Sequence, residues 1–306
     1  MSFLNLSAYT VRGDLMKFGL QVIHAWSRSP GRVENVSQYL VDLAVEAEEA
    51  GWEGFFLWDH LWFDWQPIPM ADPWTVLAAA AAKTRRIRLG THVTPLTRRR
   101  PQVLAKQLVT VDQISDGRVI LGAGLGGTGQ GSEAGEDFSP FGEEARYRVL
   151  GEKCDEALEV ITGLWSGEPF TYRGRHYTVE DVTFQPVPVQ RPRIPIWIGG
   201  GRGRTFRRAA KYDGWITGGD NPSAGETGNT IEWVGEKIER IMDYRETDAK
   251  LDVGYQFEFP EDVSEMEERV TRAEEAGITW FLDGIFGLRF NGEEALEYIR
   301  KGPPKF

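Results

Sequence analysis

Cysteine is nearly missing from this 306-residue chain. With Cys154 alone, neither an intrachain disulfide nor a cysteine-based metal cage can form. It sits in the helical pattern "EKCDEALEVI" and reads as a small buried hydrophobe. Histidine is scarce as well, four in all, and no H-x-H pair occurs, so a metal-dependent amidohydrolase site lacks its ligands. No apolar run is long enough to span a bilayer. Positive charge is outnumbered, with a formal net charge of -11, which disfavours nucleic acid and anionic membrane surfaces as partners because phosphates are repelled. The local exception, Arg98-Arg99-Arg100, reads as a solvated loop. Residues 1–15, "MSFLNLSAYTVRGDL", have neither the basic start nor the apolar core of a signal peptide. They read as a flexible extension, with Met16 as an alternative start, and the protein is expected in the cytoplasm.

What is present is alternation. Strand-like runs "MKFGLQV", "GFFLWD", "IRLGTHVT", "RVILGAG", "IPIWIGG", "GWITGG", "DVGYQFEF" and "TWFLDGIF" are each followed by a helical pattern. The helices are expected over about Val33–Ala50, Glu143–Leu164 and Glu293–Lys301, among others. About eight such units predict a single (β/α)₈ TIM barrel over residues 1–306, since crossover helices impose parallel pairing. A doubly wound sheet uses the same alternation, but the strand number and the uniform composition favour the barrel. One stretch, Gly167 to Arg193, breaks the rhythm before the fifth strand. Its alternating aromatics around Arg173-Gly174 predict a β-hairpin, and its four prolines predict an extended crossing.

Barrel chemistry gathers at the C-terminal ends of the strands. Asp59 and His60 stand after the second; Thr91, His92 and Thr94 end the third; Gly124 ends the fourth; Gly199-Gly200-Gly201 end the fifth. His60 can exchange protons near neutral pH and has a carboxylate beside it. "GAGLGG", Gly122–Gly127, matches a dinucleotide-binding fingerprint, but the polar loop "TGQGSEAGEDFSPFG" follows in place of the required helix. That loop reads as a lid, with Glu133 and Glu136 as lesser proton-donor candidates. "WIGGGRGRTFRRAA" is the better anion site, with glycine amides, a helix start, Thr205 and either Arg202 or Arg204; its plainer reading is a tight barrel turn. No lysine ends a strand, against Schiff-base chemistry, and no spacing supports a glycosidase pair of Asp59 with Glu133 or Glu136.

The sets "WDH", "LGTHVTPL…RRRP…LAKQLVTVDQISDGRVILGAGLG" and "LWSGEPFTYRGRHY…QRPRIPIWIGG", from Met16 to about Gly219, resemble the bacterial luciferase-like flavin-dependent oxidoreductases. The resemblance implies a TIM barrel with an insertion near the fifth strand, and a bulge after the third, often with a non-prolyl cis peptide, that backs a flavin ring. Here that bond would be His92–Val93. It implies deazaflavin (coenzyme F420) or FMN as cofactor, the aspartate–histidine pair leaning toward the deazaflavin. The expected catalytic residues are His60, moving a proton, and Asp59, orienting it. The cofactor is expected on Asp59, Thr91, His92, Val93, Gly124 and Thr205, with its phosphate on Gly199, Gly200 and Gly201. Relatives of this kind also imply a homodimer. The substrate is a small molecule, apolar if Trp58, Trp62, Phe63 and Trp65 line the mouth. A non-catalytic flavin-binding protein and a phosphosugar-binding barrel enzyme are the competing readings.

Overall fold

A computed structural model describes residues 16–23, 33–62, 69–126, 138–219 and 228–306. The predicted N-terminal extension, the glycine-rich lid with Glu133 and Glu136, and Phe63 and Trp65 lie outside the described residues.

Eight parallel strands close into a ring: β1 (Lys17–Val22), β2 (Gly54–Leu57), β3 (Arg88–Thr91), β5 (Val119–Gly124), β8 (Ile196–Gly199), β9 (Gly214–Gly218), β10 (Asp252–Phe257) and β11 (Trp280–Ile285). The β1–β11 and β3–β5 pairings complete the circle. Around it stand α1 (Val36–Ala50), α2 (Pro73–Lys83), α3 (Pro101–Ser115), α4 (Tyr147–Trp165), α5 (Thr205–Ala209), α6 (Ile231–Met242), α7 (Val263–Glu275) and α8 (Gly292–Arg300). This is the predicted TIM barrel. Two helices start later than their periodicity indicates. The Asn35 side chain accepts from Gln38 N and delays α1 to Val36, and α4 opens at Tyr147 after the extended Arg146.

Two cores result from strand alternation. Outward residues such as Leu57, Leu89, Val119 and Phe281 merge with the helices' apolar faces into one large cluster. Inward residues Phe56, Ile120, Trp197, Ile216, Trp280 and Leu282 fill the barrel, and Val93 packs against them. Three large aromatics fit inside because glycine faces them. A Cβ on Gly214 would lie 2.3 Å from Trp197, and one on Gly54 2.9 Å from Trp280. Trp197 stacks on Phe56 with ring centroids 5.5 Å apart.

Buried polar groups tie the layers together. Arg118 donates to the carbonyls of Ala81, Thr84, Ser115 and Ile87, closing the junction of α2, β3 and α3. The insertion is a β-hairpin, β6 (Pro169–Arg173) and β7 (Thr178–Thr183), as predicted. Its turn is fastened by the Glu156 carboxylate, which accepts the amides of Arg175, His176 and Tyr177. The extended crossing that follows is fastened by Asp112, which accepts from the amides of Val189 and Gln190. Cys154 is buried, and burial pushes its thiol up to about 11. Among the described residues, no helix is long and apolar enough to cross a membrane.

Candidate active site

β3 stops pairing with β5 after Gly90, and the chain rejoins β5 three residues past Thr91, where β4 (Thr94–Pro95) meets Ala123 and Gly124. The excursion holds a cis peptide bond between His92 and Val93, where the family resemblance implies one. Thr91 and Thr94, both fully buried, brace it from below. The Thr91 hydroxyl contacts Gly122 O at 3.1 Å and the Thr94 hydroxyl at 3.0 Å, and Trp74 Nε1 donates to the latter at 2.9 Å. The polar residues of "LGTHVTPL" are therefore internal struts. They answer the backbone groups that a departing strand leaves unpaired.

Val93 is the result of this bracing. Its methyls occupy the space that side chains at Gly124 and Gly199 would need, where a Cβ would approach them to 2.3 and 2.6 Å. The ends of β3, β5 and β8 thus meet in one apolar shelf over the barrel interior. His92 N donates to Leu57 O at 2.9 Å, joining the shelf to the end of β2. Its Nδ1 is sealed from solvent with no partner among the described residues, and burial pushes the imidazole down to about 4. His92 is neutral at physiological pH.

At the end of β2, strand alternation separates two neighbours. Phe56 faces the barrel interior and Leu57 the outer core, and the ladder ends there, with Trp58 half-buried and Asp59 buried beyond it. Asp59 is 2% exposed, and both its carboxylate oxygens accept from Arg99, at 2.8 Å each. Arg98 donates to the Asp59 carbonyl. His60 is partly exposed, its ring 5.0 Å from that of Trp58. The expectation of a solvated arginine run holds for Arg100, which is exposed, and is corrected for Arg98 and Arg99. The Arg98 and Arg99 side chains are 4% and 18% exposed, because carboxylates from other loops reach them. Arg99 is held more firmly protonated than usual; burial opposes this, but Asp59 and Asp72 outweigh it.

The glycine turn after β8 is shaped differently from the expectation. Gly200 has a φ of 109° that glycine adopts readily, yet its N–H donates to Ile216 O at 3.3 Å and its carbonyl accepts from Trp215 Nε1 at 2.7 Å. Among the described residues, the amides that follow, from Gly201 to Arg204, meet no acceptor. Thr205 is the first residue of α5 and buried, without a capping bond.

Two further groups at the upper end of the barrel were not singled out from sequence. Gln21 on β1 is 3% exposed and its Oε1 lacks a partner among the described residues. Gln256 on β10 is 5% exposed and lies beside Gly218. Each follows a glycine by two positions in an otherwise apolar strand, "GLQV" and "GYQF", and that interruption was the available signal. A cavity of about 510 Å³ opens at the opposite, N-terminal end, between Lys17, Arg86, Arg88, Glu53, Asp252 and Trp280. The shelf, the polar atoms of His92 and Gln21 that lack a partner among the described residues, and the histidine that follows β2 are all at the C-terminal end.

Known proteins share this fold. An F420-dependent glucose-6-phosphate dehydrogenase from Microbacterium testaceum is 38% identical over 183 residues, 58% of this chain and 52% of the relative. The match thus spans about half the length of that relative. A monooxygenase from Streptomyces bottropensis superposes with a TM-score of 0.72 at 22% identity, covering 93% of this chain and 97% of the other. A coenzyme F420 dependent tetrahydromethanopterin reductase from Methanopyrus kandleri superposes with a TM-score of 0.66 at 18% identity, covering 94% and 98%. The family model described as luciferase-like monooxygenase matches residues 16–281, from the first barrel strand into the last. With a barrel of this topology and a match of that extent, this chain belongs to the luciferase-like monooxygenase family.

Proposed function

We propose that the chain is a flavin-type oxidoreductase that uses deazaflavin coenzyme F420, with FMN as the alternative. The observation that carries this reading is the Val93 shelf, built from three strand ends at the end of the barrel where His60 follows β2. A planar ring can lie on an apolar floor, and Val93, seated in the space that Gly124 and Gly199 leave, provides one. The naming of a relative at 38% identity for F420 supports the deazaflavin.

The residues divide the work. Val93 and the His92–Val93 peptide support the ring, with neutral His92 and Thr91 holding the shelf in place. Gly199 and Gly200 form the turn that presents the unpartnered amides of Gly201 to Arg204, which with Thr205 receive the phosphate. Gln21 Oε1 faces the same end of the barrel and accepts a hydrogen bond from the bound group. When bound, the deazaflavin supplies hydride transfer, whereas FMN would also open the way to oxygen chemistry. His60 holds or releases the proton at the substrate's reacting oxygen, and Asp59 fixes its position from behind. Trp58 and Trp62, the latter 37% exposed, flank a small, partly apolar substrate. A cytoplasmic homodimer belongs to the same reading, and sedimentation would give the state of assembly.

Titrating the purified chain with F420 and with FMN, followed by quenching of cofactor fluorescence, tests the proposal. Saturable binding of F420 well below about 1 mM, the level that counts as weak, is expected. If neither cofactor binds, the reading is wrong. Binding without turnover of any alcohol, aldehyde or sugar phosphate would favour a flavin carrier instead.

A further inference from the structure

His60 stands beyond the paired part of β2. The ladders of that strand to β1 and β3 end at Leu57, and the next three residues carry the chemistry. Something other than the sheet must fix them, since a catalytic group has to be held to within about 0.5 Å of its productive position.

The loop between β4 and α3 performs this. Arg99 spans both carboxylate oxygens of Asp59 through Nε and Nη2, and Nη2 reaches on to Asp72 at 2.9 Å. Asp72 in turn caps α2 by accepting from Thr75 N at 2.9 Å. Arg98 takes the Asp59 carbonyl, and its guanidinium lies 5.5 Å over the Phe138 ring. Asp59 is thus gripped at its side chain and its backbone by consecutive arginines. The same loop is tied to the shelf, because Thr97 donates to Leu125 O at 3.1 Å and Thr94 braces Thr91. The floor for the ring and the grip on the proton-transfer segment are parts of one short stretch, Thr91 to Arg99.

We propose that Arg98 and Arg99 are positioning residues: by locking Asp59 they set His60 at a fixed place relative to the Val93 shelf. The inference rests on His60 being the proton-transfer group. A two-pronged guanidinium suits this task because it fixes direction as well as charge, which a lysine ammonium does not. The buried Asp59 carboxylate would otherwise have to find another partner.

The test uses Arg99→Met, Arg98→Met and Arg99→Lys in the full chain, checked for folding by circular dichroism. Ring signals of His60 are followed by NMR in histidine-labelled protein and identified by their loss in His60→Ala. The His60 signals are expected to move in all three variants, while those of His176, on the distant hairpin, stay in place. In turnover, Arg99→Met should lose about tenfold or more in kcat, with KM and cofactor Kd within about threefold. Arg99→Lys should recover only part of the loss. Because Arg99 acts through Asp59, Asp59→Asn combined with Arg99→Met should be no worse than the more damaging single change, within about twofold. Unmoved His60 signals in a folded variant, with kcat within about twofold of the parent, would overturn the proposal. If Arg99→Met does not fold, Arg99→Lys gives the same readouts. If the parent binds neither cofactor, the functional reading falls, and the NMR comparison still decides whether the arginines position His60.

Discussion

His60 sits beside the Trp58 ring with its own ring partly exposed, and the proposed function gives it the proton transfer. Removing its imidazole should cost about 10²–10⁴-fold in turnover, the usual range for a general acid or base. Cofactor affinity in His60→Ala should stay within a few fold, because the shelf and the glycine turn are untouched. A variant with near-parent turnover would dismiss this role. His92 makes a different prediction. In the folded chain its pKa is pushed down to about 4 by burial, while the unfolded chain takes up a proton near the ordinary value of about 6.5. Between those values the unfolded state binds more protons, so the contribution is complete above about pH 6.5 and is lost as pH falls toward 4. The loss is on the order of 2 kcal/mol, allowing for solvent at the edge of this partly exposed residue. Urea midpoints measured down this range should fall more steeply for the parent than for His92→Gln. Parallel curves would show that the imidazole is not buried as described.

Among the elements, the barrel strands and their helices were legible because each follows a period that burial imposes. A parallel strand covered on both faces reads as an apolar run, and a helix beside it shows one apolar stripe. The hairpin was legible for the same reason, its aromatics alternating about Arg173-Gly174. What could not be read were the connections between elements. Arg98 and Arg99 look like a solvated run until Asp59 and Asp72 arrive from the two ends of the connection between β2 and α2. Nothing in the spacing announces that meeting. Thr91 and Thr94 likewise look like candidates to touch a ligand, and the fold turns both hydroxyls inward onto Gly122, Trp74 and each other. Cap residues also refined element ends that periodicity alone placed early, as Asn35 does for α1.

For the whole molecule, the ring closure of β1 on β11 joins the two ends of the described chain. Trp52, just before β2, donates to Ile299 O at the end of α8 at 2.9 Å, and Arg300 pairs with Glu46 on α1. No half of the barrel has a complete core of its own, since its inner cluster draws on β2, β5, β8, β9 and β11 together. The chain should therefore unfold in urea as one cooperative unit, with tryptophan fluorescence and circular dichroism giving coincident transitions. Two separate transitions, or two proteolytic fragments that each stay folded, would contradict a single domain.

The Val93 shelf has a consequence for how such a protein can change through descent. The methyls of one residue fill the space of two absent side chains on two other strands, so positions 93, 124 and 199 share a single volume. A larger side chain at either glycine is excluded for as long as Val93 remains, and a smaller residue at 93 opens a hole that neither glycine can fill. Each step taken alone leads downhill, although other combinations of the three can fill the same space. Lineages with a different floor under the ring would have to acquire it as a set. A library that varies the three positions together would sample alternatives that single substitutions reach only through crowded or hollow intermediates.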